Sequence, residues 1–234
     1  MQILWVCNSK PSGLSVNLSQ IDTGGWISGL LNSLRKKENI ELDIIYPHFF
    51  TTDTEVYGNV RAKGVKSNQK HTRYDRSFEH EFRIFIKSQR YDCIHVWGTE
   101  FSHTLAVINV CRELNIDKKV LIGIQGLCGF IALHYMAGIT KSPITFRDVV
   151  KRDSLWAQKQ KFKRRGNFEA EAIGKCNHIT GRTDWDKICT GILNPQIQYH
   201  YCNEVMRSVF YKTKWNLDTC EKYRIFTSQA YYPL

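Results

Sequence analysis

The feature that most constrains this chain is a repeated alternation. Short apolar runs are each followed by a segment whose apolar residues recur at helical spacing. The runs are Gln2 to Cys7, Leu42 to Tyr46, Cys93 to Trp97, Val120 to Ile124, His178 to Thr180 and Gln198 to Tyr201. Near-continuous apolar runs of this length suit parallel strands buried on both faces. Between them lie helical stripes at Ile27, Leu30, Leu31 and Leu34, at Phe78, Phe82, Phe85 and Ile86, at Leu105, Ile108, Cys111 and Leu114, and over residues 145 to 176. Strand, helix, strand in this order predicts an α/β fold, a Rossmann-like parallel sheet flanked by helices. Pro47 is expected to close the second strand, and the polar stretch from about 50 to 75 to hold a hairpin around Tyr57 to Lys63.

The chain's 234 residues, 42% hydrophobic, are enough for a real core. No apolar run is long enough to cross a bilayer, and Met1 to Cys7 lacks the layout of a signal peptide. Eight cysteines are scattered with no Cys-x-x-Cys pair. That predicts reduced, mostly buried thiols in a cytoplasmic protein, not a disulfide framework or a zinc site. The net charge of +11 asks for an anionic partner: nucleotide phosphates, a membrane leaflet or nucleic acid. The segment from Lys151 to Arg165 concentrates cations around Leu155, Trp156 and Phe162, a pattern that suits an anionic membrane surface. No recognised nucleic-acid-binding motif accompanies it, and nucleic acid is not the expected partner.

In an open parallel sheet, ligands bind beyond the carboxyl ends of the strands. That rule selects Gly24-Gly25 before the first helix, Gly98-Thr99-Glu100, Gln125-Gly126, Arg182-Thr183 and Asn203-Glu204. Two glycines at a helix N-terminus allow close approach of a phosphate, or simply a tight turn. Arg182 can clamp a phosphate or form a surface ion pair, and Glu100 and Glu204 can act as bases or hold hydroxyls. His95, inside an apolar run, reads as a satisfied core residue. Asp184 and Asp186 imitate an Asp-x-Asp metal signature, but with Thr183 they are spaced as a capping box. No metal site, dinucleotide fingerprint, P-loop or nucleophile elbow is present in the sequence.

Gly24-Gly25-Trp26, the run Tyr91 to Glu100, Ile124 to Leu127, Arg164 to Glu169, and Ile179 to Asp186 follow one another in an order that resembles the N-terminal domain of family-four GT-B glycosyltransferases. Ile225 to Gln229 with Tyr231-Tyr232-Pro233 resembles the first strand of that family's donor domain. The resemblance implies residues 1–222 as a Rossmann-like acceptor-side domain and 223–234 as the opening of a second domain. It implies a retaining transferase of surface-polysaccharide synthesis, taking a nucleotide-diphosphate sugar and a glycan or lipid-linked acceptor, with no tightly bound metal or other cofactor. Gly24, Gly25 and Trp26 would line the donor phosphates. Gln125 and Glu100 would face the reacting sugar, and Gly126, Arg182, Thr183 and Glu204 would serve the acceptor or sugar. The family's donor-domain glutamate pair and basic residue have no counterpart here, so the chain is expected to turn over poorly alone. The location implied is cytoplasmic, peripheral at the inner membrane face. A non-catalytic glycan- or membrane-binding module and a basic nucleic-acid-binding protein are the alternatives.

Overall fold

The computed structural model describes residues 1–11, 14, 25–87, 89–139, 144–151, 154–206, 208–212 and 214–225. Eight strands form one sheet in the order β3-β4-β2-β1-β5-β6-β7-β8. They are β1 (Gln2–Val6), β2 (Glu41–His48), β3 (Glu55–Tyr57), β4 (Val60–Lys66), β5 (Cys93–Trp97), β6 (Val120–Gly123), β7 (His178–Gly181) and β8 (Gln198–Tyr201). All neighbours pair in parallel except β3 with β4, the expected hairpin, whose turn at Gly58 takes φ 65°. The α/β, Rossmann-like class read from the alternation is the class found.

The helices are α1 (Gly25–Leu34), α2 (Arg76–Lys87), α3 (Ser102–Glu113), α4 (Cys128–His134), α5 (Phe146–Lys151), α6 (Leu155–Lys175), α7 (Asp184–Leu193) and α8 (Ser208–Lys212). Strand alternation sorts them onto two faces. Leu4 and Val6 of β1 join Ile94, Val96, Val120, Ile122 and Ile179 in a core packed against α2, α3 and α6. Ile3, Trp5 and Cys7 point the other way, with Leu31 of α1 and Ile44 of β2. A stack of this kind buries a strand such as β1 completely, which is why its run reads as uninterrupted apolar sequence.

Pro47 does not close β2; the strand runs on to His48 and pairs Pro47 with Val65. Cys7 N–H donates to the Ile45 carbonyl, so Pro47, two residues on, turns the same way, toward β1. The β1 ladder has ended by then, and the missing N–H of Pro47 costs no bond. The short helix α4 carries no periodic stripe in the sequence; Gly129 and Gly166 bring it onto α6, where a Cβ on Gly166 would lie 2.4 Å from the Gly129 Cα. The strand expected at 224–228 falls mostly outside the described residues, and Arg224 and Ile225 lie in no strand. The eight cysteines are all free, five of them buried, while Cys202 and Cys220 are exposed. Among the described residues no helix is long and apolar enough to cross a membrane.

Candidate functional site

The strand order reverses between β1 and β5. The chain passes from β1 to β2 on one side, and β5 through β8 fill the other. A crevice opens at such a reversal, beyond the strand ends. Asn8 follows β1, Gly98-Thr99-Glu100 follow β5, and Gln125-Gly126 follow β6. The Asn8 amide donates to Gln125 Oε1 at 3.2 Å and to Glu100 Oε1 at 3.5 Å. Gly98 adopts φ 92°, and a Cβ there would lie 2.6 Å from Glu100 Oε2. Only glycine both takes that backbone and lets the carboxylate fold back over it.

Helix α6 holds this arrangement from below. Arg165 Nε donates to the Glu100 carbonyl at 2.8 Å, its guanidinium 4.9 Å from the Phe101 ring. Glu169 is 1% exposed and accepts the Gly129 N–H at 2.9 Å through Oε2. Its Oε1 lies 2.5 Å from the Thr99 hydroxyl, which is 2.8 Å from the Gly126 carbonyl. Burial pushes the Glu169 carboxyl above the usual carboxylate range. The Thr99 hydroxyl thus bridges the Glu169 carboxyl and the Gly126 carbonyl. The β5 and β6 loops are thereby tied to one helix.

Burial pushes Glu100 up to about 7, with the backbone amides nearby and Arg165 pulling it back in part. At neutral pH it is poised between acid and base, the range useful for proton transfer. Three side-chain atoms here, Asn8 Oδ1, Glu100 Oε2 and Gln125 Nε2, are buried without a hydrogen-bond partner. Leaving such an atom unmade costs about 1–3 kcal/mol, so a cluster of them marks a site and not a core. Two acceptors and one donor are the complement a hydroxyl-rich ligand satisfies.

A pocket of about 100 Å³ adjoins the cluster on the α1 side of the sheet, lined by Leu30, His95, Trp97, Gln125, Thr180, Arg182 and Glu204 among others. Arg182 and Glu204 form an ion pair at 2.7 Å, each about a third exposed, with Arg182 at 38% and Glu204 at 30%. His95 is not a satisfied core residue. Its Nε2 lacks a partner, its ring stacks 3.9 Å from Trp97, and burial holds its pKa down to about 3, so it is neutral at pH 7. Gly123 leaves it room, since a Cβ there would lie 3.0 Å from His95 Nε2.

Of the residues selected from the sequence, Glu100 and Gln125 meet through Asn8, and Gln125, Arg182 and Glu204 share the pocket wall. Gly126 acts through its carbonyl. Thr183 caps α7 in a complete capping box with Asp186, as its spacing predicts. Gly24 lies outside the described residues. Gly25 opens α1 with Trp26 next to it, but the side chain of Trp26 is not described. Asn8, His95 and Thr180 were not singled out as site residues. Asn8 was within reach, because the strand-end rule applied to β1 lands on it. Among the described residues no group of three or more His, Cys, Asp or Glu side chains could hold a metal ion.

No family model matches the chain, and no curated protein matches it in sequence. Solved structures similar to it include a wide-type short-chain dehydrogenase/reductase from Veillonella parvula in complex with NADP. That match has 12% identity and a TM-score of 0.38, and covers 78% of this chain and 69% of the other. Another is a UDP-forming alpha,alpha-trehalose-phosphate synthase from Burkholderia vietnamiensis, with 13% identity, a TM-score of 0.41, and 82% of this chain covered. This chain spans 42% of the synthase's length. Similarity at this level says nothing of a shared activity.

Proposed function

We propose that this domain is the acceptor-side half of a nucleotide-sugar-dependent glycosyltransferase, residues 1–222 forming one wall of the active cleft and 223–234 opening the donor domain. The observation that carries the reading is the Asn8, Glu100 and Gln125 cluster. Its unspent hydrogen-bonding capacity sits at the strand-order reversal, and it fits sugar hydroxyls better than a flat nucleobase. Gln125 orients a hydroxyl, and Glu100 takes or gives a proton near neutral pH. Arg182, freed from Glu204, offers a planar cation to a phosphate or carboxylate.

The partners belonging to this reading are a nucleotide-diphosphate sugar, which Gly24, Gly25 and Trp26 approach from the N-terminal side, and a glycan or lipid-linked acceptor. The transfer retains configuration, and no tightly bound metal takes part. The 151–165 segment rests on the anionic inner face of a membrane. In support, Trp156 is 63% exposed, and Lys151 and Lys161 of the same segment are exposed.

The test is titration of the chain with UDP-, GDP- and dTDP-sugars and with oligosaccharides, read by amide shifts. Millimolar binding that moves Glu100 and Gln125, and is weakened in Gln125→Ala, is expected. Saturable binding that leaves both residues unmoved, or no binding by any sugar, sinks the reading.

A further inference from the structure

On the other face of the sheet, away from the crevice pocket, α4, α6 and α7 enclose an open groove of about 600 Å³. That volume is inside the range of about 300–1,000 Å³ usual for small-molecule sites. Its walls are Phe130 and Leu133 of α4, Ala170 of α6 and Ile192 of α7, with Lys159 and Lys163 of α6 also lining it. The groove exists because α4 and α6 touch backbone to backbone at Gly129 and Gly166 while small Ala170 leaves the next turn open. Leu133 and Ile192 stand 69% and 67% exposed on its lips, leaving contiguous apolar surface uncovered.

The two cations sit at one end only. Lys159, Lys163, Gly166, Asn167 and Ala170 form one stripe along α6, with both lysines in its first half and Ala170 farther on beside Ile192 and Leu193. Like charges four residues apart on a helix repel, and neither lysine has an ion-pair partner among the described residues. Because α6 leads into the start of β7, its first half lies at the sheet edge that carries the strand-end crevice. The buried Glu169 at the floor is already engaged by Thr99 and Gly129. Tyr135 packs on Phe162, so α4 runs back along α6 and Leu133 lies toward the lysine end. The groove is cationic there and apolar at Ala170 and Ile192, which matches a ligand with one charged end and one tail. A docked helix would call for charges along both rims.

We propose that this groove binds a single-chain amphiphile with an anionic head, its tail along Phe130, Ala170 and Ile192 and its head on Lys159 and Lys163. This site is separate from the strand-end crevice and stands whether or not the chain takes part in glycosyl transfer.

The experiment uses the full chain and 11-(dansylamino)undecanoic acid below its micellar concentration, with palmitate, 1-hexadecanol, inorganic phosphate and an acidic amphipathic helical peptide as competitors. Saturable dansyl enhancement, displaced by palmitate and not by phosphate, is expected. The double variant Lys159→Ala/Lys163→Ala should weaken palmitate about tenfold, the loss of one charge-assisted contact, and leave hexadecanol unchanged. Ala170→Trp, which fills the groove, should abolish both; Ile192→Glu on the lip gives the same readout if the tryptophan variant does not fold. Displacement by the peptide but not by palmitate overturns the proposal. So does equal loss of hexadecanol and palmitate in the lysine variant, or binding to phosphatidylglycerol vesicles with none to monomeric palmitate.

Discussion

Asp43, near the start of β2, and Glu100, just past the end of β5, are both carboxylates drawn into this sheet, and their surroundings differ in every respect. Asp43 receives Arg61 Nε at 2.6 Å and Nη2 at 2.8 Å, and the Tyr91 hydroxyl at 2.5 Å, while Gln89 completes the network. Every oxygen there is used. Glu100 has one long contact from Asn8, an unpartnered Oε2 and a pKa lifted by burial. A satisfied buried carboxylate rivets strands together; an unsatisfied one at a strand-order reversal is kept for something that arrives from outside. Glu169 stands between them, wholly buried and fully engaged, positioning the loops that carry Glu100 and Gln125.

The comparison can be broken first at its structural end. Asp43→Ala should cost about 3 kcal/mol in urea unfolding, because it removes both Arg61 bonds and leaves the buried Tyr91 hydroxyl only its contact with Gln89. A loss under about 1 kcal/mol would put Asp43 in the same class as Glu100.

Glu100→Gln should have the opposite sign. Glu100 binds its proton more tightly folded, near 7, than at the ordinary 4.5. The stability this group contributes is therefore complete below about 4.5 and is lost as pH rises through about 7. Above that pH the glutamine variant should be the more stable by about 3 kcal/mol, the two converging below about pH 4.5. Parallel stability–pH curves for wild type and variant would show that Glu100 ionises freely.

Gly98→Ala should cost about 1–2 kcal/mol for its positive φ and also swing the Glu100 carboxylate out. The glutamine variant's stability gain should vanish in the Gly98→Ala background, and additivity of the two would break the link. The smallest effect belongs to Arg182→Ala, where a third-exposed ion pair is lost for less than about 1 kcal/mol. Its mark should instead be on anion binding, and a thermal shift with unchanged nucleotide affinity would remove Arg182 from the site.

The fold was legible where periodicity is strong. The run at Gln2–Val6 is buried on both faces, that at Cys93–Trp97 is buried on one face and half-buried on the other, and Phe78, Phe82 and Ile86 fall on one side of α2. The capping box at Thr183 is a local pattern satisfied within one turn. Helix α4 was not legible, because its reason for existing is a glycine contact with α6, distant in sequence. Of the site, Glu100, Gln125, Arg182 and Glu204 were reachable from the strand-end rule alone. The apolar run around His95 places it in the sheet, but does not show whether its ring nitrogen finds a partner.

The alternation of strands with most of the helices follows from the sequence by itself, since burial on one or two faces imposes a period that each segment carries locally. The meeting of Asn8 with Glu100 and Gln125, 92 and 117 residues away, belongs to the tertiary structure. It depends on the register of three parallel strands ending together and on α6 holding their loops. Neither is written in the neighbours of any one residue.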